Sequence, residues 1–246
     1  MFTGVVQGKK MAFQVERVKT EIPGLDKLIQ GGIPKGHVIL IAGSPGTGKS
    51  ILCSQILYKN ALGGKKCLYL NLEQDNHRTQ NQMLQLGWDP DKTKNLKIIS
   101  MDADDPTLVN FLLTELKNTE YDLICLDSLD SITSNPVNPS SLMLKTDVAS
   151  GQVEPANLNR FRLKFIFKAL GQSTATVLLT SERIENQVGL TRDTISEFLC
   201  DGILLLKTGF VGTAVRRTLV LLKMRQTKID LTSHIYEITE KGIQLE

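Results

Sequence analysis

The chain has 246 residues, of which 41% are hydrophobic and 22% charged, and these values fit one soluble globular domain with a full core. No apolar run approaches the roughly 18 residues that a membrane span needs. The N-terminus lacks the basic and then apolar pattern of a secretory signal, so we expect a cytoplasmic protein without a membrane partner. A net charge of +3 is too small to indicate nucleic-acid binding by itself.

The cysteines indicate a reducing environment. None of the four belongs to a C-x-x-C pair, and three lie inside apolar runs. We therefore interpret them as reduced core residues and not as zinc ligands. They are Cys53, Cys67, Cys125 and Cys200.

The N-terminal region is the least regular part of the chain. Residues 1–17 show no clear hydrophobic period, and we interpret them as a loosely held tail or an added strand. Met11 is an alternative to Met1 as the start of the protein. A single domain without internal repeats is predicted to span 18–246.

Residues 43–50 read GSPGTGKS and match the phosphate-binding loop G-x-x-x-x-G-K-[ST]. An apolar strand at 37–42 precedes the loop and an apolar-periodic helix follows it, which is the setting that a phosphate loop requires. The glycines let backbone N–H groups turn toward phosphate, while the lysine reaches the β- and γ-phosphates and the serine hydroxyl binds Mg²⁺. The alternative is a glycine-rich turn without function. The predicted nucleotide-binding residues here are Gly43, Ser44, Pro45, Gly46, Thr47, Gly48, Lys49, Ser50 and Ile51.

A carboxylate follows the second predicted strand, at 66–72. Glu73 stands where the apolar run ends and polarity returns. In a chain with a phosphate loop, such a residue is a candidate for the base that activates water. The residues alone leave an equal alternative, in which Glu73 caps a surface helix predicted at 75–87.

A second carboxylate ends a later strand. After a predicted strand at 96–100 and a helix around 108–116, residues 121–128 form an apolar run that ends with Asp127 and a serine. This is the Walker B pattern, in which a buried strand delivers one carboxylate to Mg²⁺. An apolar run ending in Asp is common, but the phosphate loop makes the functional interpretation the stronger one. Ser50 and Asp127 are the predicted metal ligands.

An irregular segment separates Asp127 from the next helix. Residues 131–159 contain three prolines and little periodicity, which is typical of a functional or mobile loop. The helix that follows places apolar residues inward, and its basic residues are interpreted as a solvated outer face. These basic residues are Arg160, Arg162, Lys164 and Lys168. A further strand at 176–181 delivers Glu182, which we expect to contact the γ-phosphate end of a nucleotide.

The last part of the chain is rich in strands, at 203–206, 217–224 and 235–238, with a hairpin turn at 211–213. Strands that alternate with helices first and form hairpins last predict an α/β fold. We expect a mostly parallel sheet flanked by helices, with a C-terminal antiparallel extension.

Several separate motifs, in this order, resemble KaiC-type domains of the RecA/RadA superfamily over about 18–246. They are EIPGLD at 21–26, GGIP at 31–34, the phosphate loop, LGWD at 86–89, LDSL at 126–129, TSER at 180–183 and LKMR at 222–225. The resemblance is to single-domain archaeal proteins of this type. It implies a RecA-like P-loop NTPase core and a ring, often a hexamer, with ATP and Mg²⁺ bound between subunits.

The resemblance also implies roles for particular residues. It places the base at Glu73, followed by Gln74 where the family has a second carboxylate, and this difference puts the rate in question. Lys223 and Arg225 occupy the family's Lys-x-Arg, which reaches the γ-phosphate of the neighbouring subunit. On a regular strand both cations leave by one face, opposite Leu222 and Met224, and the residues alone favour an ordinary outward face.

Two departures from the family stand out. The family continues its Lys-x-Arg with Gly-Thr, where this chain has Gln226 and Thr227. The segment 131–159 is longer than expected. The phosphorylated Ser-Thr site of the clock protein has no clear counterpart, so the resemblance does not extend to autokinase activity.

Three uses of the nucleotide remain open at this point. The first is a slow regulatory or signalling ATPase whose ring changes its binding to a protein partner. The second resembles RadA paralogues, which are recombination and repair accessory ATPases that bind single-stranded DNA, but 131–159 offers only Lys145 as a basic residue and 184–198 only Arg192 and Phe198. The third is a nucleotide-binding structural protein with almost no hydrolysis.

Overall fold

The computed structural model of the chain describes residues 15–105, 107–134, 155–183, 189–212 and 214–246. Residues 1–14 of the tail predicted at 1–17 lie outside the described residues, as do 135–154 of the irregular segment predicted at 131–159 and residues 184–188. The DNA-binding alternative depends in part on these stretches, although Arg192 and Phe198 of the segment 184–198 lie in the described part of the chain.

Eleven strands and seven α-helices are present in the described part of the chain. The strands are β1 (Arg17–Val18), β2 (Ile33–Pro34), β3 (Val38–Gly43), β4 (Cys67–Asn71), β5 (Leu96–Ser100), β6 (Leu123–Asp127), β7 (Thr176–Glu182), β8 (Gly202–Val211), β9 (Ala214–Met224), β10 (Ser233–Thr239) and β11 (Gly242–Leu245). The helices are α1 (Leu25–Leu28), α2 (Lys49–Leu62), α3 (Asn76–Gln85), α4 (Leu108–Asn118), α5 (Leu129–Ser134), α6 (Pro155–Gln172) and α7 (Ser196–Leu199), with a 3₁₀ turn at Pro90–Lys92.

Nine strands form one sheet in the order β11-β10-β9-β8-β3-β7-β6-β4-β5. The six strands from β8 to β5 run parallel, and β9, β10 and β11 add an antiparallel extension. The central strands β3, β4, β6 and β7 are buried along almost their whole length because both faces of a parallel sheet are covered. This topology confirms the predicted α/β fold. The last strand, β11, was not predicted, because its four residues GIQL carry too short a pattern.

The two faces of the sheet bury separate cores. One contains Leu52 and Ile56 of α2, the helix that follows the phosphate loop, packed against apolar residues of the central strands. The opposite core contains Leu112 of α4, Ile132 of α5 and Ile166 of α6. The carboxyl ends of the parallel strands are thereby left uncovered between the two layers, which is where ligands bind in open α/β sheets.

Arg162 does not lie on a solvated face, and that prediction was wrong. Its side chain is only 3% exposed, whereas Arg160, Lys164 and Lys168 are exposed as expected. The Arg162 guanidinium donates hydrogen bonds to the carbonyl oxygens of Ala103 at 2.6 Å and Asp105 at 3.4 Å. Burial lowers the pKa of Arg162, and the nearby aspartates at 104 and 105 oppose this effect. The arginine therefore ties α6 to the chain segment that leads into α4.

We expect Arg162→Ala to lower the free energy of unfolding by about 2 kcal/mol, because it removes buried packing and leaves carbonyl acceptors without a donor. Urea unfolding of the variant measures this loss. Lys164→Ala, two residues away and exposed, is the matched control and should change stability by less than about 0.5 kcal/mol. Equal stability of the two variants would show that the Arg162 contacts contribute nothing.

Candidate active site

The phosphate loop joins β3 to α2 in the conformation that the motif requires. Gly46 and Gly48 have φ values of 78° and 91°, in the left-handed region that favours glycine. The ammonium group of Lys49 donates to the carbonyl oxygens of Gly43 at 2.9 Å and Ser44 at 3.3 Å. These bonds hold the lysine side chain across the loop, and no carboxylate of the described residues forms an ion pair with it.

The loop ends at the N-terminus of α2, where backbone donors are available. Gly48 is the N-cap residue and supplies no side-chain hydrogen bond, and the first turn contains no acidic residue. The first N–H groups of a helix have no partner within the helix, and they carry its positive dipole end. This helix end therefore presents free donors and positive charge to an anion.

A cavity of about 370 Å³ opens over this loop and brings most of the predicted site together. The predicted residues that line it are Pro45, Gly46, Gly48, Lys49, Ser50, Ile51, Glu73, Asp127 and Glu182. Gly43, Ser44 and Thr47 shape the loop beneath the cavity, and the Thr47 hydroxyl donates to the Ser44 carbonyl oxygen at 2.8 Å. Three strands, β4, β6 and β7, deliver the acidic residues at their carboxyl ends.

Asp127 is almost fully buried, and both of its oxygens have donors. The Tyr69 hydroxyl donates to Oδ2 at 2.5 Å, and the Thr180 hydroxyl donates to Oδ1. Burial raises the pKa of Tyr69 well above its ordinary value, and the Asp127 charge adds to this shift, so the phenol remains a donor. The carboxylate is thereby fixed in orientation at the edge of the cavity.

Glu73 is held at the cavity and does not cap the following helix. The side-chain oxygen of Asn71 accepts hydrogen bonds from the N–H groups of Glu73 and Gln74, both at 2.8 Å. The hydroxyl of Ser128, the residue after Asp127, donates to the Glu73 carboxylate. The N-cap of α3 is Asp75, which accepts from the Arg78 N–H at 2.8 Å. The cap alternative for Glu73 is therefore excluded by the structure.

Asp130 is a site residue that the sequence analysis missed. It lies in the first turn of α5, is 6% exposed and lines the cavity. Its carboxylate accepts from the Ser181 hydroxyl at 3.2 Å and from the Glu182 N–H. Burial raises the pKa of Asp130 to about 6, although these hydrogen bonds oppose the shift. Its spacing of three residues from Asp127, in the helix after a Walker B strand, was the available indication.

Three further residues at the site were also not predicted. Gln82 of α3 and Ile238 of β10 line the cavity. Arg192 forms an ion pair with Glu182 at 2.7 Å. The C-terminal extension also supports the loop, because the buried Tyr236 hydroxyl donates to the Thr47 carbonyl oxygen.

Lys223 and Arg225 lie at the opposite end of the sheet from this cavity. Met224 between them pairs with Gly202, and Gly202 pairs with Ile39 at the amino end of β3. The Lys223 ammonium donates to the Cys200 carbonyl oxygen at 2.5 Å, and Arg225 forms an ion pair with Asp201 at 2.7 Å. Among the described residues that line the cavity, neither cation appears.

The strand that carries these cations is not regular, so the predicted alternation was wrong in part. The pairing of β8 with β9 shifts register at Ile203 and Leu204, which leaves Leu222 as an extra residue in a bulge. Leu222 is 39% exposed while Met224 is 5% exposed, although both were predicted on one face. A bulge breaks the two-residue period of a strand and re-aims its side chains.

The departure at Gln226 is accommodated by the backbone. Gln226 has a φ of 57°, in the left-handed region that glycine adopts at the lowest cost. Arg17 fastens this turn, because its guanidinium donates to the Gln226 carbonyl oxygen and to the Thr227 hydroxyl, each at 2.9 Å. The chain therefore keeps the turn that the family's glycine implies.

The donor set fits a nucleotide and a magnesium ion. The lysine and the free helix N–H groups suit phosphate oxygens, and Ser50 with Asp127 offers the two hard oxygen ligands that a Mg²⁺ bound to phosphates requires. Over the described parts of the chain, no group of three or more His, Cys, Asp or Glu residues is arranged to hold a metal ion. None of the helices in those parts is long and apolar enough to span a membrane.

Comparisons with known proteins agree with this geometry. The family model described as "ATPase: KaiC" matches residues 18–246. A UPF0273 protein of Methanocaldococcus jannaschii is 31% identical over 93% of this chain and 96% of its own length. The circadian clock protein KaiC3 of Synechocystis is 27% identical over 87% of this chain and 42% of its own length.

A solved structure supports the same assignment. The crystal structure of a KaiC-like protein from Pyrococcus horikoshii has a TM-score of 0.77 and 27% identity, over 95% of this chain and all of that one. This similarity agrees with the RecA-like P-loop fold that the sequence motifs predicted for this chain. The chain therefore belongs to the KaiC-type ATPase family.

Proposed function

We propose that the protein is a Mg²⁺-dependent ATP hydrolase that works as a ring, with ATP bound between neighbouring subunits, in a regulatory or signalling role. One observation carries this proposal. The phosphate loop, Asp127 and Glu73, from three separate parts of the chain, converge on a single cavity of about 370 Å³. These are the parts that phosphoryl transfer to water requires.

The roles follow from where each group lies. Backbone N–H groups of 44–50 and the Lys49 ammonium bind the phosphates, and Ser50 and Asp127 hold the Mg²⁺. The bound ion neutralises developing charge on the phosphate oxygens. Glu73 orients the attacking water and accepts its proton, because the Asn71 and Ser128 contacts aim its carboxylate at the cavity.

The proposed ring is supported by two cations that lie at the opposite end of the sheet from the cavity of their own subunit. Lys223 and Arg225 lie beyond the amino ends of the parallel strands, while the cavity lies at their carboxyl ends. A neighbour in a head-to-tail ring can place them beside the other subunit's phosphates. Gln74 in place of a second carboxylate supports slow turnover.

The test is Lys49→Ala, which should abolish ATP binding and turnover while the circular dichroism spectrum stays that of the unchanged protein. Lys59→Ala, on an exposed position of the same helix, is the matched control and should bind ATP normally. Equilibrium titration with ATP in the presence of Mg²⁺ measures both. Unchanged ATP turnover in Lys49→Ala would refute the proposed site.

A further inference from the structure

The cavity contains more negative than positive charge. Among the described residues, four carboxylates line it, those of Glu73, Asp127, Asp130 and Glu182, against one lysine, Lys49. A bound triphosphate adds further negative charge beside them. Like charges at close range disfavour binding unless cations compensate. The proposed magnesium ion would compensate the charge of Asp127. Asp130 and Glu182 meet at the end of β7, where the Asp130 carboxylate accepts a hydrogen bond from the Glu182 N–H.

Arg192 is placed to supply positive charge beside these two carboxylates within the same subunit. Its guanidinium lies 2.7 Å from Oε2 of Glu182, a residue that lines the cavity. Its charge also reaches Asp130 and lowers the pKa of that carboxyl against the effect of burial. Arg192 therefore interacts with both Glu182 and Asp130.

The present partner of Arg192 holds it only loosely. The side chains of Arg192 and Glu182 are 39% and 31% exposed, and ion pairs with this exposure to solvent are weak. A phosphate accepts two parallel hydrogen bonds from a guanidinium and carries more charge than a carboxylate. When a phosphate group replaces Glu182 as the partner of Arg192, a weak ion pair is therefore lost and a stronger contact forms.

The backbone around Arg192 is fixed, so such an exchange needs only side-chain movement. Thr191 before it is 3% exposed. Asp193 after it accepts hydrogen bonds from the N–H groups of Ile195 and Ser196, both at 2.7 Å, at the start of α7. The Leu190 N–H donates to Glu197 Oε2 at 2.7 Å. The arginine is thus an exposed side chain on an anchored turn.

We infer that Arg192 is a γ-phosphate-contacting residue: the terminal phosphate of a bound nucleoside triphosphate replaces Glu182 as its partner. The inference rests on the proposed function, because it assumes a nucleotide in the cavity. In this arrangement Glu182 does not bind phosphate directly. It forms an ion pair with Arg192 while the γ-phosphate is absent. Arg192 then distinguishes triphosphate from diphosphate, since only the triphosphate reaches it.

The test compares two ligands, ADP and the non-hydrolysable β,γ-imido analogue of ATP, by isothermal titration with Mg²⁺. Arg192→Ala should weaken binding of the analogue about tenfold and leave the ADP affinity within about twofold. Glu182→Gln keeps the shape of the side chain and releases the arginine, so it should tighten the analogue severalfold. The two variants of one ion pair are thus expected to act in opposite directions.

Arg216→Ala is the matched control, because Arg216 is also an exposed arginine in an ion pair, with Glu246 at 3.6 Å, and does not line the cavity. It should leave both affinities unchanged. Equal weakening of ADP and the analogue by Arg192→Ala, no weakening of either, or weaker analogue binding by Glu182→Gln would each overturn the inference. Absence of nucleotide binding by the unaltered protein would instead overturn the proposed function, and the inference with it.

Discussion

Glu73→Gln should bind Mg-ATP as the unaltered protein does and lose about 10²-fold or more in turnover. The amide keeps the size of the side chain and its contact with the Ser128 hydroxyl, but it cannot accept a proton from water. Because Asn71 positions the backbone at residue 73 independently of the side chain, the substitution leaves the local geometry intact. Single-turnover hydrolysis of radiolabelled ATP measures the chemical step even when the overall rate is low.

The control for this prediction is Glu237→Gln, the same substitution at an exposed position of β10. It should change neither binding nor turnover. If Glu73→Gln hydrolyses ATP within about threefold of the unaltered protein, Glu73 is not the base, because general-base catalysis contributes at least about 10². Asp130, the cavity carboxylate that the sequence analysis missed, would then be the next residue to replace.

Arg225→Ala should lower turnover about 10³-fold, the effect of removing an arginine that stabilises the transition state from a neighbouring subunit. Nucleotide affinity should stay within about twofold, because Arg225 does not reach the phosphate loop of its own chain. Its ion pair with Asp201 is 58% exposed on the arginine side, so loss of that pair alters stability little.

Arg78→Ala supplies the comparison for Arg225. Arg78 is 76% exposed and pairs with Asp75 at 3.6 Å, so it is an arginine of similar exposure whose removal should leave turnover unchanged. Light scattering establishes whether each variant forms the same assembly as the unaltered protein. Normal turnover of Arg225→Ala in intact rings would identify the arginine as part of an ordinary solvated strand end.

The elements that carry the site were predictable because their patterns are local. The strands that end at Gly43 and Asp127 are continuous apolar runs, since both faces of the parallel sheet are buried, and the phosphate loop depends on residue types at fixed spacing. The carboxyl ends of parallel strands meet at one edge of a sheet, which brings the separately predicted Glu73 and Asp127 to one cavity. The cavity has this arrangement.

The residues that escaped prediction depend on contacts that no local pattern encodes. Arg162 looked like its exposed neighbours, but its long side chain reaches carbonyl groups of a segment about 60 residues earlier in the chain. Arg192 contacts the site through its ion pair with Glu182, and Asp130 is held at the cavity by hydrogen bonds from the end of β7. The bulge at Leu222 likewise follows from pairing with β8 and is invisible in the alternation of residue types.

The central claim is that the active site is shared between subunits, and mixing two inactive variants tests it most directly. A Lys49→Ala subunit keeps Arg225 but has no working phosphate loop, while an Arg225→Ala subunit has the loop without the cation. Rings assembled from both variants contain interfaces where an intact loop faces an intact arginine. We predict that ATP turnover reappears in the mixture while each variant alone is inactive. No recovery, in mixed rings whose formation light scattering has shown, would contradict the account.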